Sequence, residues 1–427
     1  MTHSEALNDL AEAYGLSPSY IDNSGTTVTA TAGTLVTLLR AMGVDLGDAP
    51  EPAAEDIRAA HQTVREELAA RPLPLTVAAV QGDAKTFPVH VHDGDPAEVS
   101  ILCEDGTRRA AEQEENWATP VTVDGVTWGE ATFRLPTDLP TGYHTLVLES
   151  GGRQATTRLI VSPARLSTAD TYLADRRFGV MAQLYSVRSA SSWGIGDFHD
   201  LGLLAETLAT EIGADFLLVN PLHAAEPLPP VEDSPYLPTT RRFTNPIYLR
   251  VEDVPEYRQV SEEVRTAIEE AAQEFRALNR STAVLERDPI YGAKLDALRE
   301  LHAVPPTPAR RQAYDSYRET EGQGLVDFAT WCAHREIEQS TTGKRHAAAP
   351  DLAVLVDFHM WLQFLCDEQL AAAQQRCLAA GMAIGVITDL AVGVHPGGAD
   401  AENLAPWLAP EASVGAPPDN YNQQGQD

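Results

Sequence analysis

Basic residues, cysteines and long apolar runs are all scarce in this 427-residue chain. Lysine and arginine total 31 against 62 acidic residues, a formal net charge of −31, so the surface repels nucleic-acid phosphates and anionic membranes. No apolar run reaches the length of a bilayer span, and the start, MTHSEALNDL, lacks the basic and apolar regions of a secretory signal. We therefore expect no nucleic-acid partner, no membrane partner and a cytoplasmic location. A neutral ligand such as a carbohydrate carries no electrostatic penalty.

The few cysteines predict neither a disulfide framework nor a zinc site, because they are widely spaced and form no CxxC pair. They are Cys103, Cys332, Cys366 and Cys377. One short stretch does collect potential metal ligands, namely His90, His92, Asp93 and Asp95. Alternation along a strand that leads into an Asp-Gly turn explains this stretch more simply than a metal does. We therefore expect no metal.

The length predicts two or three domains, and the residue pattern changes along the chain. Residues 1–72 show helical spacing of apolar residues, with Gly15 and Gly43 placed as C-terminal caps. Residues 73–162 show short alternating runs between Gly and Asp turns, which indicate a small antiparallel β-sandwich. The stretch LPTGYHTLVLE resembles an immunoglobulin-like module, with Tyr143 as its corner residue.

Residues 163–427 have the pattern of a parallel α/β region. Three compact apolar runs predict strands at 179–187, 215–222 and 382–392. An amphipathic helix with Asp197 as its N-cap lies between the first two, which completes a parallel βαβ unit. A long charged helical stretch at about 255–345 is interpreted as an insertion after the second strand.

Three strands are too few to close a (β/α)8 barrel, and an open sheet with long loops would expose an unpaired edge. We interpret 163–427 as the N-terminal part of a (β/α)8 TIM-type barrel with the helical insertion. The chain is then the N-terminal part of a longer protein. A complete protein with a small three-layer sheet is the alternative.

In such barrels the chemistry lies at the carboxyl ends of the strands. Asp389 ends the third strand, where a buried carboxylate needs either a sugar hydroxyl or an internal arginine or N–H as partner. Tyr236 has a flat face suited to stacking on a pyranose ring, and Ser234 can bond a hydroxyl, although packing is the simpler explanation of Tyr236 from the residues alone. Arg241 and Arg242 are expected to hold their loop by pairing with acids.

Five stretches occur in one order along the chain: NPLHA, SPYLPTTRRFTNPIYLRVEDV, FHMWLQFLCDEQL, GVITDLAVGV and ASVGAPPDNYNQQGQ. Together they resemble the 4-α-glucanotransferases, the amylomaltases or disproportionating enzymes of glycoside hydrolase family 77. The N-terminal PSYIDNSGTTVTATAGTLVTLLRAMG resembles the extended, MalQ-like bacterial subtype. The resemblance implies transfer of maltodextrin (α-1,4-glucan) segments to the 4-hydroxyl of glucose or a glucan, with retention. It implies no metal and no organic cofactor.

The resemblance also implies roles for individual residues. Asp389 would contact the sugar next to the cleaved bond, Ser234 and Tyr236 would line the same cleft, and Gln426 would belong to the loop over the acceptor side. The nucleophile, the acid/base glutamate and a third aspartate match nothing in 1–427 and are expected beyond Asp427. This chain alone is therefore expected to bind substrate and to be inactive.

One local departure and two alternatives accompany this resemblance. Thr388 stands where an arginine is frequent, so the contacts of its neighbour Asp389 are expected to differ from the family pattern. A related α-glucan hydrolase would use the same cleft. A non-catalytic α-glucan-binding fragment would use residues 73–162 as a binding module, yet no exposed aromatic platform is evident there.

Overall fold

The computed structural model describes residues 2–22, 24–167, 170–173, 175–342, 351–409, 412 and 415, without the side chains of 173 and 340–342. The chain forms two compact units, Met1–Ala169 with Ala409–Asp427 and Asp170–Leu408. No helix in the described part of the chain is both long and apolar enough to cross a membrane.

Three helices occupy the start of the first unit: α1 His3–Ala13, α2 Ala32–Ala41 and α3 Ala54–Ala69. Gly15 and Gly43 follow the first two helices with φ of 80° and 85°, the left-handed conformation that the predicted caps require. Leu10, Leu39 and Ile57, one from each helix, are fully buried in a common core.

A hairpin of β1 Ser19–Ile21 and β2 Thr27–Thr29 interrupts this helical region, where the sequence analysis expected helices alone. The Asp22 carboxylate accepts the backbone N–H groups of Ser24 at 2.9 Å and Thr26 at 2.8 Å. This side-chain turn, flanked by β-branched residues, favours a hairpin over a helix.

The predicted β-sandwich follows. Its strands are β3 Thr76–Val80, β4 Thr86–His92, β5 Glu98–Leu102, β6 Arg108–Ala110, β7 Glu112–Glu114, β8 Val121–Val123, β9 Val126–Arg134, β10 Gly142–Ser150 and β11 Arg153–Ser162. One sheet has the order β3-β11-β10-β5-β6, and the other has the order β4-β9-β7, with β8 also on β9. Alternate residues such as Val89, Phe133 and Leu146 face the shared core.

The turn before β10 differs from the expectation for Tyr143. Tyr143 is 60% exposed, whereas His144 is buried and its Nε2 lies 2.8 Å from the carbonyl oxygen of Pro140. The neighbouring histidine therefore holds the corner that the sequence analysis assigned to the tyrosine.

The second unit contains a parallel sheet of β12 Gly179–Ala182, β13 Phe216–Val219 and β14 Gly385–Thr388, with β13 in the centre. Its helices are α4 Asp170–Leu173, α5 Phe198–Ile212, α6 Glu262–Arg276, α7 Arg287–His302, α8 Pro308–Glu321, α9 Gln323–Thr342, α10 Leu352–Ala379 and α11 Ala399–Asn403. Short 3-10 helices cover Leu184–Ser186, Pro246–Tyr248, Val251–Asp253, Pro255–Arg258, Ala277–Arg280 and Ala405–Trp407.

Helix α5 begins and ends where the sequence predicts. The Asp197 carboxylate accepts the N–H groups of His199 and Asp200, and Gly213 ends the helix at φ 69°. Helix α10 packs on α5 and returns the chain to β14. Along the chain, the four helices α6–α9 come between β13 and α10.

The three strands are shorter than the apolar runs that predicted them. After β12 the chain turns into a 3-10 helix, because the N–H of Leu184 donates to Asn220 Oδ1 at 2.7 Å instead of to a ladder partner. Pro221 follows β13 closely and has no N–H to continue the ladder.

Candidate functional site

The carboxyl ends of the three parallel strands meet at one edge of the sheet, which we call the strand-end edge. Gln183, Asn220 and Asp389 are the residues that directly follow the strands. The N–H of Asp389 donates to the Val219 carbonyl at 3.0 Å, which extends the ladder by one residue. The Asp389 carboxylate is therefore held at this edge by backbone pairing.

Two of the predicted site residues lie together here. The Tyr236 phenol lies close enough to the Asp389 carboxylate and to the Gln183 side chain for both to influence its ionisation. Partial loss of hydration and then the Asp389 carboxylate raise the pKa of the Tyr236 phenol above its usual value. The side chain remains 49% exposed, so the ring is available to a ligand.

Ser234 shapes the loop that carries this tyrosine. Its hydroxyl oxygen accepts the backbone N–H of Tyr236 at 3.3 Å, and Ser234 is itself exposed. Ser234 thus sets the backbone beside Tyr236 and remains reachable for a hydroxyl ligand. Gln426, the fourth predicted residue, lies outside the described residues.

Gln183 has an unused hydrogen-bonding atom at the edge. Its Oε1 is buried and has no partner among the described residues. A buried carbonyl oxygen without a donor costs free energy, so a ligand hydroxyl that reached it would stabilise the site. The sequence analysis placed Gln183 inside a longer strand and did not single it out.

The loop after β14 is held by Arg241. Its guanidinium donates to the carbonyl oxygens of Ala391 at 3.4 Å and Val392 at 3.1 Å. Its backbone N–H donates to Asp400 at 3.1 Å. Pairing of this side chain with an acid was the expectation, and carbonyl oxygens take that role instead.

Arg242 behaves as expected. It forms an ion pair with Glu321 at 2.9 Å, also donates to the Glu321 carbonyl, and lies over the Phe243 ring. The two adjacent arginines therefore hold different segments, one the loop after β14 and the other the end of α8.

His223 follows β13 and contacts the same loop. Its Nε2 accepts the N–H of Ala391 at 3.4 Å, so the imidazole is neutral with its proton on Nδ1. Burial, and then the charge of Arg241, lower the pKa of His223, while Asp389 and Asp400 oppose the shift. His223 was missed as a site residue, although it stands in the quoted NPLHA motif.

Behind the edge lies a buried ion cluster that fixes the preceding loops. Arg250 Nε lies 2.6 Å from Asp197 and its Nη2 lies 3.2 Å from Asp200. Lys294 donates to the carbonyls of Ile247 and Leu249 at 2.6 and 2.9 Å. Burial raises the pKa of Asp197 and lowers that of Lys294 to about 8.

Two glutamines of α10 clamp the segment that runs on from the tyrosine loop. Gln363 accepts the N–H and donates to the C=O of Thr244, at 2.9 Å each. Gln369 does the same for Arg250, at 2.8 and 2.9 Å. These amides supply hydrogen-bond partners for the backbone groups of this segment. No cluster of described residues could hold a metal ion.

Comparison with known proteins decides the family. The profile of the 4-alpha-glucanotransferase family, glycoside hydrolase family 77, matches residues 182–427, more than half of the chain. The chain belongs to the 4-alpha-glucanotransferase family. The resemblance drawn from the five motifs is thereby confirmed. A second profile, the MalQ N-terminal beta sandwich domain, matches residues 72–163 of this 4-alpha-glucanotransferase family member.

Several relatives support the assignment. A 4-alpha-glucanotransferase of Mycobacterium bovis is 43% identical over 446 residues, which cover 99% of this chain and 60% of the relative. That of Haemophilus influenzae is 33% identical over 67% of this chain and 45% of its own length. The crystal structure of amylomaltase from Corynebacterium glutamicum is 56% identical with a TM-score of 0.94, covering 99% of this chain and 60% of that one. The chain thus spans about three fifths of the most similar of these relatives.

Proposed function

We propose that this chain provides the glucan-binding edge of a 4-alpha-glucanotransferase. The reaction is transfer of α-1,4-glucan (maltodextrin) segments to the 4-hydroxyl of an acceptor glucose or glucan, with retention. The observation that carries the proposal is the contact of Tyr236 with Asp389 at the strand-end edge. Family membership supports the reaction type.

These side chains suit a pyranose ring. The half-exposed Tyr236 offers an aromatic face for the apolar face of a sugar. Asp389 accepts hydrogen bonds from hydroxyl groups, and a charged acceptor makes stronger bonds than a neutral one. Ser234 and Gln183 add neutral groups, so the set fits an uncharged ligand.

We assign binding, not bond cleavage, to Asp389. A retaining mechanism needs two carboxyl groups about 5 Å apart, one as nucleophile and one as acid and then base. The family motifs carry that pair onto no residue of 1–427. Transfer instead of hydrolysis further requires an acceptor sugar in the site and exclusion of water from the glycosyl intermediate.

The proposed architecture follows from the same edge. We propose that β12, β13 and β14 are the first strands of a (β/α)8 barrel, with α6–α9 as an insertion and residues 1–72 and 73–162 as separate domains. The strand-end edge is then the usual position of the active site in such barrels. Four buried free cysteines support a reducing, cytoplasmic location.

The test is incubation with maltotriose followed by chromatography of the products. Residues 1–427 and the protein translated from the whole reading frame are assayed in parallel. Glucose plus longer maltodextrins from the latter alone supports the proposal. Reducing ends that rise without longer products indicate a hydrolase, and transfer by residues 1–427 would contradict the assignment of Asp389.

A further inference from the structure

A cleft lies between the sheets at one end of the β-sandwich, in a different unit from the strand-end edge. Its volume is about 160 Å³, and strands β4 and β9 face the β10–β11 hairpin across it. Its lining includes Trp128, His92, Asp95, Ser150 and Arg153. We call it the sandwich cleft.

An indole forms its aromatic wall. Trp128 is half-buried and pairs in register with His92 on the neighbouring strand. The two rings meet edge to face, 4.9 Å between centroids at 90°. Such a contact occupies at most one face of the indole, so the other face is not used by this pair.

Arg153 is a cation without a carboxylate partner among the described residues, in a chain with twice as many acids as bases. Its guanidinium donates to Nε2 of His92, which accepts through a neutral ring. Asp95 lines the same cleft. The cleft therefore offers both donors and acceptors.

An unpaired serine hydroxyl also belongs to the wall of the sandwich cleft. The Oγ of Ser150 is buried in the cleft wall and has no hydrogen-bond partner among the described residues. A buried hydroxyl left unpaired costs about 1–3 kcal/mol, so such groups commonly have a partner that a ligand or solvent provides.

We propose that the sandwich cleft binds one glucose ring of an α-1,4-glucan. Sugar hydroxyls both donate and accept, so one ring can satisfy Arg153, Asp95 and Ser150 while its apolar face lies on Trp128. An anion would meet the Asp95 carboxylate, and a purely apolar ligand would make no use of the exposed Asp95 and Arg153 side chains. Clefts for drug-sized ligands hold about 300–1,000 Å³, so this one has room for about a single ring.

The histidines of this stretch, His90 and His92, are not placed as ligands of a metal ion. Nδ1 of His90 lies 2.8 Å from the Arg71 carbonyl and its Nε2 lies 3.3 Å from Glu130. His92 is bonded to Arg153. Both nitrogens of His90 and Nε2 of His92 are therefore already used, which explains the His90–Asp95 stretch without a metal.

The experiment uses the whole chain labelled with fluorotryptophan and observed by 19F NMR. The chain has six tryptophans, and Trp128→Phe identifies the cleft resonance. We expect maltotriose to shift that resonance saturably. Trp117, 88% exposed in the same unit and outside the cleft, is the internal control and should not shift.

Two variants locate the bound sugar. Ser150→Ala should raise the half-saturating maltotriose concentration about fivefold, and Arg153→Ala at least about tenfold, because a charged donor contributes more than a neutral one. Ser100→Ala, a half-buried serine of β5 outside the cleft, should leave it unchanged. Neither cleft variant is expected to unfold the sandwich, which circular dichroism checks.

Absence of a shift overturns the proposal, as does a shift that inorganic phosphate reproduces or that neither cleft variant weakens. The choice of an α-glucan rests on the proposed function. Failure of the cleft proposal can be distinguished from failure of the proposed function, since Tyr236→Ala should weaken binding at the strand-end edge and leave the Trp128 shift intact. A Trp128 shift in residues 1–427, together with no glucan transfer by the protein translated from the whole reading frame, would refute the transferase alone.

Discussion

The Tyr236 phenol lies beside the Asp389 carboxylate, so a loop that follows β13 meets the residue that directly follows β14. Partial loss of hydration and then the Asp389 carboxylate raise the pKa of the phenol, so the hydroxyl stays protonated throughout the neutral range. The Asp389 carboxylate, whose Oδ1 already accepts the Leu390 N–H at 2.9 Å, and the exposed ring face then act on the same sugar. We expect binding to depend on both residues.

Tyr236→Phe tests the hydroxyl alone, because the ring remains. We expect the maltotriose dissociation constant of the whole chain to rise about five- to tenfold, since a hydrogen bond to a charged group is lost. Tyr236→Ala should weaken binding further through loss of the stacking face. Titration calorimetry measures both, with Tyr172→Phe, an exposed tyrosine of α4, as the control. Equal affinity of Tyr236→Phe and the parent chain would contradict the role.

The adjacent arginines offer a matched pair. Arg241→Ala removes the donors to Ala391 and Val392, so we expect a looser loop after β14 and weaker maltotriose binding, about threefold to tenfold. Arg242→Ala removes an exposed ion pair with Glu321. It should change stability by less than about 1 kcal/mol and leave binding as it is. If both substitutions change affinity equally, the loop is not held as described.

Sequence patterns predicted those features that depend on neighbouring residues. The Asp197 cap, the end of α5 at Gly213 and the cap at Gly15 are local, because each is set by one side chain or one glycine. The position of Asp389 also followed from a single apolar run that ends in an acid. Alternation predicted the sandwich for the same reason.

The missed features depend on contacts between distant parts of the chain. Gln363 and Gln369 look like ordinary helix residues until the segment from Thr244 to Arg250 lies beside them. His223 gains its role only from the N–H of Ala391. Trp117 is a single exposed aromatic residue of the sandwich, so the lack of an aromatic platform in 73–162 stays a prediction.

Protonation of His223 should weaken glucan binding. The pKa of this group lies below the ordinary value of about 6.5, so its neutral form is favoured in the fold. As the pH falls, the unfolded chain takes up a proton on this histidine at a higher pH than the folded chain does. The stability that the neutral ring contributes is therefore lost as the pH falls from about 6.5 through the folded-state pKa. The protonated ring can no longer accept the Ala391 N–H.

The measurement is maltotriose affinity between about pH 7.5 and pH 5. We expect the affinity of the parent chain to fall toward the acidic end. His223→Gln keeps an acceptor for Ala391 but does not titrate, so its affinity should vary less. Identical profiles for the two proteins would show that another group is responsible.

The buried ion cluster should contribute strongly to the stability of the second unit. Arg250→Met leaves the carboxylates of Asp197 and Asp200 buried without their cation, and loss of one partner of a buried pair costs about 3–5 kcal/mol. Arg318→Met removes a surface ion pair with Asp315 and the cation over the Tyr314 ring, and should cost only about 1 kcal/mol. Urea unfolding measures both.

The pH dependence separates a charge effect from a loss of packing. Burial already raises the pKa of Asp197, and removal of Arg250 should raise it further, so that the folded variant takes up a proton at a higher pH than the unfolded chain. The stability of the variant should therefore fall as the pH rises through that window. The deficit relative to the parent chain is then larger at about pH 7 than at about pH 5. A deficit that stays constant with pH would mean that Arg250→Met destabilises the unit through altered packing. The Arg250 charge would then not be what stabilises the buried carboxylates.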